Sequence, residues 1–236
     1  MKISTTMLVI AILLFFGVLT AYNFSLKAEY LKGTFRDRFG KHSFMKLEDV
    51  KRLQLNAANM IGMSIEYGER EGVWISKEVK DQVKVRQSGE TVTVDFVNSK
   101  PKTYRYINAA AVVFIVNKVN RVDARNFHFK DQGSENYGGE LFIKGLSGNS
   151  LDMVIPERAT VLIEGSQFKV FKAVIGNENH WSSFTVTGDN RFDTAYFDIR
   201  KSSLELQNPK ILVPHYKFGD SSRIGLWGHS AKQFAR

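Results

Sequence analysis

Polar and apolar residues alternate with a period of two along most of this chain from Lys51 onward. Every second residue is apolar in the stretches RLQLNA, QVKVRQ and TVTVDF, and Gly, Asn, Asp and Ser lie between such stretches. A period of two is typical of half-buried β-strands, whereas an amphipathic helix repeats every 3.6 residues. The pattern therefore predicts a series of short strands. These include the apolar run 108–119, whose Val, Phe and Ile content favours a buried strand.

One five-residue pattern, apolar-x-apolar-x-Gly or Asn, returns along the C-terminal half. Its copies end at Gly145, Gly165, Gly188, Asn208 and Gly228, which lie 20, 23, 20 and 20 residues apart. An earlier copy is predicted over 122–126. Equivalent residues recur at the coil length when coils stack, whereas a β-sandwich or barrel needs no repeat in register. The sequence therefore predicts an all-β fold over 51–236, a parallel β-helix (β-solenoid) with coils of about 20 residues, preceded by one N-terminal transmembrane helix.

The repeat also predicts what its members do. The two apolar residues of each copy point inward and stack on the next coil about 4.8 Å away, so Ile163 and Val186 should be buried. The Gly or Asn should turn the chain at a corner with positive φ. Gly139 is assigned to a loop that tolerates a side chain better than these corners do. The longer spacing before Gly188 predicts a three-residue insertion in the segment GNENHWS, residues 176–182.

The N-terminus carries an uncharged segment of 24 residues, 3–26. About 20 apolar residues suffice to cross a bilayer as a helix, so residues 1–26 are predicted to be a transmembrane anchor or uncleaved signal, with 7–26 in the lipid. A cleaved signal peptide is the competing interpretation. The best cleavage site follows Ala21, but it places Leu19 where a small residue is needed. Residues 27–50 are predicted to form a basic juxtamembrane linker.

The formal net charge of +9 is concentrated beside this segment. Residues 27–52 hold eight Lys or Arg against four Asp or Glu, which indicates contact with an anionic membrane surface or a solvated linker and predicts no nucleic-acid partner. The positive-inside rule would keep the body in the cytoplasm, but long domains translocate largely regardless of flanking charge. The chain has no cysteine, which excludes disulfides, zinc–thiolate sites and lipidation of a cysteine.

The order of features resembles the GIN-type auto-transporter adhesin head domain family (DUF2807), over residues 50–230. The opening strands and the coils after them carry the resemblance, at Leu53, Leu55, Ile65, Tyr67, Gly68, Val73, Ile75, Val83, Val85, Val92 and Val94. The resemblance implies an exported, non-enzymatic protein. This chain departs from the family in a coil surface that is poorer in Gly and Ser and richer in Phe and Tyr, which puts a shared ligand in doubt.

The sequence predicts no catalytic residue, metal ligand or cofactor. It contains no Walker A loop, G-x-S-x-G elbow or HExxH motif, and its five histidines show no ligand spacing. Asp189, Asp193 and Asp198 fall within ten residues, as clustered carboxylates do in carbohydrate-acting β-helices. A turn-capping role fits Asp189 and Asn190 better, because such side chains bond their own backbone.

Aromatic residues give the one candidate for binding. His180 and Trp181 lie in the predicted insertion and are the candidate ligand-binding residues, as an exposed platform for a sugar ring or a partner. The other aromatics that follow the corners are predicted to fill the core: Phe168, Phe171, Phe192, Tyr196, Phe197, Tyr216 and Phe218.

The sequence supports three hypotheses about the function of this protein. The leading hypothesis is a non-enzymatic, single-pass protein of the cytoplasmic (inner) membrane with a periplasmic body, acting in adhesion, as an envelope scaffold or in ligand presentation. Its partners would be the bilayer and an envelope protein or glycan. The alternative is a cytoplasmic, membrane-bound scaffold that polymerises end to end, as bactofilin-like solenoids do. Trp227 and Phe234 oppose it, because they can cover the last coil. A polysaccharide-acting enzyme is the third.

Overall fold

The computed structural model describes residues 3–33, 37–97, 110–127 and 139–234. The chain divides into two compact units, Met1–His42 and Ser43–Arg236. The first unit contains a single long helix, α1 (Ile3–Lys32). The second consists mostly of β-strands and ends in the short helix α2 (His229–Phe234).

Helix α1 is long and apolar enough to cross a membrane. Its 30 residues rise about 45 Å, which exceeds the roughly 30 Å of a bilayer's hydrocarbon core. The apolar side chains are exposed, including Leu13, Phe15 and Val18. The helix runs on through Lys27, Glu29 and Lys32, into the segment predicted as a linker. Its length and composition fit a single-pass anchor or a signal sequence.

Seventeen strands are present in the described residues. The first eight are β1 (His42–Lys46), β2 (Arg52–Leu55), β3 (Met63–Tyr67), β4 (Gly72–Ser76), β5 (Val83–Ser88), β6 (Thr91–Phe96), β7 (Val112–Val116) and β8 (Arg121–Ala124). The next nine are β9 (Glu140–Lys144), β10 (Ser147–Ile155), β11 (Thr160–Glu164), β12 (Gln167–Ile175), β13 (Ser183–Val186), β14 (Arg191–Ile199), β15 (Ser203–Gln207), β16 (Lys210–Phe218) and β17 (Arg223–Trp227). Strand β7 confirms the strand predicted within 108–119 over its described part.

The strands form two large sheets. The nine-stranded sheet has the order β1-β4-β7-β3-β9-β11-β13-β15-β17, and the eight-stranded sheet has the order β16-β14-β12-β10-β8-β2-β6-β5. From β8 to β17 consecutive strands alternate between the two sheets, and neighbours within each sheet run parallel. Antiparallel pairs lie near the other end of each sheet, where β4 pairs with β7 and β5 with β6.

Strand register confirms the frame of the sequence repeat in the nine-stranded sheet. Leu141 pairs with Val161, Val161 with Phe184, Phe184 with Leu204, and Leu204 with Ile224. The predicted inward residues Ile163 and Val186 are fully buried, as expected.

The earlier copy predicted over 122–126 is wrong. Its strand β8 belongs to the eight-stranded sheet and pairs with β2 and β10. The neighbour of β9 is instead β3, in which Ile65 lies beside Ile143. Alternation of apolar and polar residues marks any half-buried strand, so the pattern alone cannot say which sheet a strand joins.

Phenylalanine fills much of the space between the sheets. The Phe171 ring stacks on Phe192 with centroids 4.5 Å apart and also lies 5.9 Å from Phe184, so rings from both sheets meet. Phe168 and Phe197 are buried too, as the sequence predicts. The prediction is wrong for Tyr196 and Phe218, which are 42% and 46% exposed. Tyr196 points outward because it is next to the buried Phe197 in β14, and consecutive strand residues point to opposite faces of the sheet. Phe218 belongs to β16, the last strand of its sheet, where no further strand covers it.

The corners that follow the nine-stranded sheet turn with positive φ, as predicted, at Gly145, Gly165, Asn208 and Gly228. Gly188 does not, and its corner, residues 187–190, is one residue longer than the segment 164–166 that strand register places beside it. The buried Asn190 side chain holds it together: its Oδ1 accepts from Ser166 N at 2.9 Å, and its Nδ2 donates to Ile163 O at 2.8 Å.

Gly139 contradicts its predicted tolerance. A Cβ atom there would lie 2.6 Å from the carbonyl carbon of Asn59 and closer still to Ala58 O. The residue is wedged against another backbone, which no local sequence pattern reveals.

The C-terminal end of the strand stack, where β16 and β17 are the last strands of the two sheets, is partly covered. Helix α2 follows β17, and the Phe234 ring meets Tyr216 edge-on at 5.6 Å. Trp227 and Phe234 nevertheless remain about half exposed, so the predicted covering of the last repeat is incomplete.

Candidate ligand-binding surface

The candidate residues His180 and Trp181 lie on the longest of four stacked corners. These corners lead from the eight-stranded sheet to the nine-stranded sheet and comprise residues 156–159, 176–182, 200–202 and 219–222. The second is three residues longer than the first, which confirms the insertion predicted in GNENHWS. We call this set of four the insertion-side corners.

Backbone hydrogen bonds fix the insertion on both sides. Within it, Asn177 Oδ1 accepts from the backbone N–H of Asn179 and of His180, each at 2.8 Å, which forms a closed Asx turn. Arg158 N donates to Trp181 O at 2.8 Å, and Ser182 N donates to Ser202 Oγ at 2.8 Å. The backbone at Trp181 is therefore tied to the corner before it and the corner after it.

Strand register places four side-chain positions, one from each of these corners, in a single column, which we call the insertion-side column. Arg158, Trp181, Lys201 and Ser221 each precede by two residues a member of the paired set Thr160, Ser183, Ser203 and Arg223. Neighbouring strands lie about 4.8 Å apart, so Trp181 stands between Arg158 and Lys201. Its side chain is 51% exposed.

The backbone of this column is unusual. Arg158, Lys201 and Ser221 have φ of 39°, 46° and 59°, a left-handed region that costs an L-residue roughly 1–2 kcal/mol. Glycine would remove this strain, and the opposite corners do use it, at Gly145, Gly165 and Gly228. At Arg158, Lys201 and Ser221 the insertion-side corners therefore carry a polar side chain although the backbone conformation there favours glycine, which has no side chain. Strained residues of this kind occur often at functional sites.

Two depressions meet beside the column. One, of about 370 Å³, is lined by Trp181, Lys201, Ser202, Ser203, Ser221 and Arg223. The other, of about 650 Å³, shares Lys201 and Ser221 and continues past Arg200 and Lys217. His180 lines neither.

The charge of the first depression is positive. No ion pair within the described residues engages Arg158, Lys201 or Arg223. In the second depression the cations are partly matched. Arg200 Nη2 lies 2.6 Å from Asp198 Oδ2 and Lys217 Nζ lies 3.6 Å from it, and the hydrogen bond from Arg200 is the main reason that the pKa of Asp198 is lowered.

The three clustered aspartates do not act together. Asp189 lies at the opposite corner, where its carboxylate accepts from Thr187 Oγ1 at 2.6 Å. Asp193 points out from the middle of β14, and Asp198 is engaged by Arg200. The turn-capping role predicted for Asp189 and Asn190 is confirmed by these contacts.

Sequence reasoning found Trp181 but missed Lys201, Ser203, Ser221 and Arg223, which surround it. The missing signal is the repeat itself, because these residues lie one and two repeats of 20 residues beyond Trp181 and Ser183. A second exposed aromatic pair was also missed: Tyr196 stacks on His215 at 4.5 Å. Among the described residues no group of three or more His, Asp or Glu is placed to hold a metal ion.

No family model and no curated protein matches this chain. Weak matches among solved structures include a candidate adhesin from Bacteroides fragilis, 12% identical, with a TM-score of 0.36, covering 79% of this chain and 96% of the other. A candidate lipid-binding protein from Parabacteroides distasonis is 11% identical, with a TM-score of 0.36 and coverage of 80% and 98%. A candidate adhesin from Parabacteroides merdae is 10% identical, with a TM-score of 0.31 and coverage of 79% and 95%. TM-scores this low define neither the fold nor the function of this chain.

Proposed function

We propose that the chain is a non-enzymatic, membrane-anchored β-solenoid that presents a ligand-binding surface outside the cytoplasmic membrane, in adhesion, as an envelope scaffold or in ligand presentation. The alternation of β8 to β17 between two sheets, with register steps close to 20 residues, supports a solenoid. The observation that carries the function is the insertion-side column, where an exposed Trp181 stands between cations on a backbone bonded from both sides.

In this proposal residues 7–26 of α1 cross the inner membrane once and the body is periplasmic. The exposed apolar side chains of α1 would otherwise face water. Transferring them into lipid is favourable by about 25 cal/mol for each Å² of apolar surface. The segment 27–50 then lies at the membrane surface, where its basic residues meet anionic headgroups. The resemblance to the adhesin head domain family supports the same placement.

A polysaccharide-acting enzyme is less well supported. Glycoside hydrolysis ordinarily needs two carboxyl groups that flank one bond. Asp189 and Asp198 are each engaged in structural contacts, at opposite ends of β14. Trp181 is accompanied by cations and hydroxyl groups, which bind and orient a ligand but supply no such pair.

The polymerising scaffold is opposed by the C-terminal end of the stack. In a parallel sheet, successive residues direct their N–H and C=O groups to alternate neighbours. Gly219 N donates to Ile199 O at 2.7 Å, and counting back from it in steps of two directs His215 to β14 and Pro214 to the open edge. Lys210 N also donates on the β14 side, to Asn190 O at 2.9 Å, so the alternation shifts once between Lys210 and Pro214. Proline offers no N–H there, and proline is a common device against edge-to-edge pairing.

Cysteine labelling tests the topology, since the chain has no cysteine of its own. Ser150 is exposed on β10, outside the insertion-side corners, and Thr5 lies at the start of α1. In intact cells with a permeable outer membrane, a membrane-impermeant maleimide should label Ser150→Cys but not Thr5→Cys, and both should be labelled after lysis.

Labelling of Thr5→Cys alone would place the body in the cytoplasm and favour the polymerising scaffold. A labelled Ser150→Cys species found in the soluble fraction would show that the N-terminal segment is cleaved.

A further inference from the structure

We infer that the insertion-side column binds an acidic polysaccharide, with one sugar ring on Trp181 and its carboxylate or sulfate groups on Lys201 and Arg223. This inference rests on the proposed function, because it names the ligand of the same surface. It is carried by three features that the fold brings together at one place: an exposed aromatic face, cations that have no ion pair among the described residues, and a row of hydroxyl groups.

The aromatic feature selects a ring with an apolar face. Trp181 is half exposed although tryptophan is usually among the most buried residues. Its backbone is bonded to Arg158 and its neighbour Ser182 to Ser202, so the indole is presented without the mobility of a free loop. A preorganised aromatic side chain binds at little entropic cost. The C–H face of a pyranose ring is a partner of matching shape and polarity.

The charges select an anion. Lys201 and Arg223 line the same depression as Trp181, and neither has an ion pair within the described part of the chain. Arg158 adds a third cation on the other side of Trp181 in the column. The adjoining depression holds three acidic residues, Glu178, Asp198 and Asp220, and Arg200 and Lys217 engage Asp198, whereas the depression that contains Trp181 has no acidic residue among the described residues that line it. Sugars without a charge would leave the cations beside Trp181 unmatched, whereas uronic acids or sulfated sugars pair with them.

The hydroxyl groups complete the match. Ser203 and Ser221 line the depression between the cations. Serine donates and accepts hydrogen bonds, so it suits the hydroxyl groups of a sugar. The column runs across stacked strands, which allows a linear polymer to contact several repeats in succession. A flat lipid surface would meet the cations but would gain nothing from one half-exposed indole held at a concave site.

The test uses the full chain in an uncharged polyoxyethylene detergent, which carries no sugar. Binding to polygalacturonate and to dextran sulfate is measured by biolayer interferometry, with neutral dextran as the reference polymer. We expect the parent chain to bind both acidic polymers and not dextran. Trp181→Ala should weaken binding by about tenfold or more, which corresponds to about 1.4 kcal/mol. Trp181→Phe should retain most of the affinity.

Matched variants separate the surface from general charge. Trp227→Ala removes another half-exposed tryptophan, and Lys210→Ala another exposed lysine. Both should bind like the parent. Lys201→Ala with Arg223→Ala should weaken binding and reduce its dependence on salt, because fewer ions are released.

Three results would overturn the inference. The first is that the parent chain binds neither acidic polymer. The second is that Trp227→Ala loses as much affinity as Trp181→Ala. The third is that the chain binds phosphatidylglycerol vesicles and that this binding depends on Trp181 to the same extent. The last would identify a lipid surface as the ligand. Each leaves the labelling result for topology untouched, so the proposed function and this inference fail separately.

Discussion

Two neighbouring residues, Asp189 and Asn190, show how a corner can gain a residue and remain bonded. Asn190 is buried, and its amide joins its own corner to Ile163 of β11 and to Ser166 in the corner after β11, while Asp189 stays at the surface and accepts from Thr187. The pKa of Asp189 is lowered, first by the hydrogen bond from Thr187 and then by that from the backbone of Gly165. Its charged form is therefore the one that the folded corner prefers.

The lowered pKa predicts a pH-dependent contribution to stability. A carboxyl group with a lowered pKa in the folded state stabilises it above the unfolded pKa, about 3.9 for Asp, and this contribution is lost as the pH falls through the folded value. We expect Asp189→Asn to melt below the parent at pH 7, and the difference should shrink as the pH falls below about 4 and through the lowered pKa of Asp189. Thermal melts at pH 3 to 7 measure this. A constant difference across that range would contradict the prediction.

At the scale of the element, glycines serve the strands and corners for two separate reasons. Gly145 turns its corner at φ 68°, and a Cβ there would meet nothing closer than Tyr67 at 3.9 Å. Gly139, just before β9, needs no positive φ but has the backbone of Asn59 where its Cβ would stand. At Gly145 the backbone conformation disfavours any other residue, whereas at Gly139 there is no room for a side chain.

The two reasons predict different costs for one added methyl group. Gly145→Ala should lose roughly 1–2 kcal/mol of the free energy of unfolding, the cost of a left-handed L-residue. Gly139→Ala should lose more, because the backbone of Ala58 and Asn59 must move for a Cβ to fit. Gly89→Ala is a control with positive φ and open space around it. Denaturant titration ranks the three, and a smaller loss at Gly139 than at Gly145 would refute this account.

For the whole molecule, the two ends of the stack decide whether copies can join. At one end the parallel strands give way to antiparallel β4 and β5, and at the other β16 carries Pro214 on its open edge and α2 lies beside it. Parts of the second end are still apolar and exposed, including Phe218 and Trp227. Since this apolar surface could attract another copy, the N–H that Pro214 lacks on the open edge of β16 removes one hydrogen bond from any strand that docks there.

Restoring that N–H should promote association. Pro214→Val adds one edge donor, worth about 1 kcal/mol, and should strengthen self-association about fivefold. Analytical ultracentrifugation of the detergent-solubilised chain measures this. Val213→Thr alters the same strand at a position whose N–H faces β14, and should leave association unchanged. A parent chain that already forms long filaments would contradict the proposed role of the C-terminal end.

The surface around Trp181 was predictable in part. Its exposure followed from an insertion, which the spacing of 23 instead of 20 located correctly. Lys201 and Arg223 could have been found by adding the repeat length, but only once the register was known. The outward direction of Tyr196 depended on a shift of the alternation within β14, between Phe192 and Ala195, which the sequence pattern did not supply.

The sequence by itself determined the local features: the apolar length of α1, the strands, the inward residues Ile163 and Val186, and the corners with positive φ. These depend on periodicity and on backbone sterics, which act within a few residues. Only the tertiary structure decided that β9 lies beside β3, that Gly139 is wedged against Asn59, and that Lys201 and Arg223 line one depression with Trp181. Those relations join residues that are distant along the chain, and the period of two is the same in every strand whichever neighbour it has.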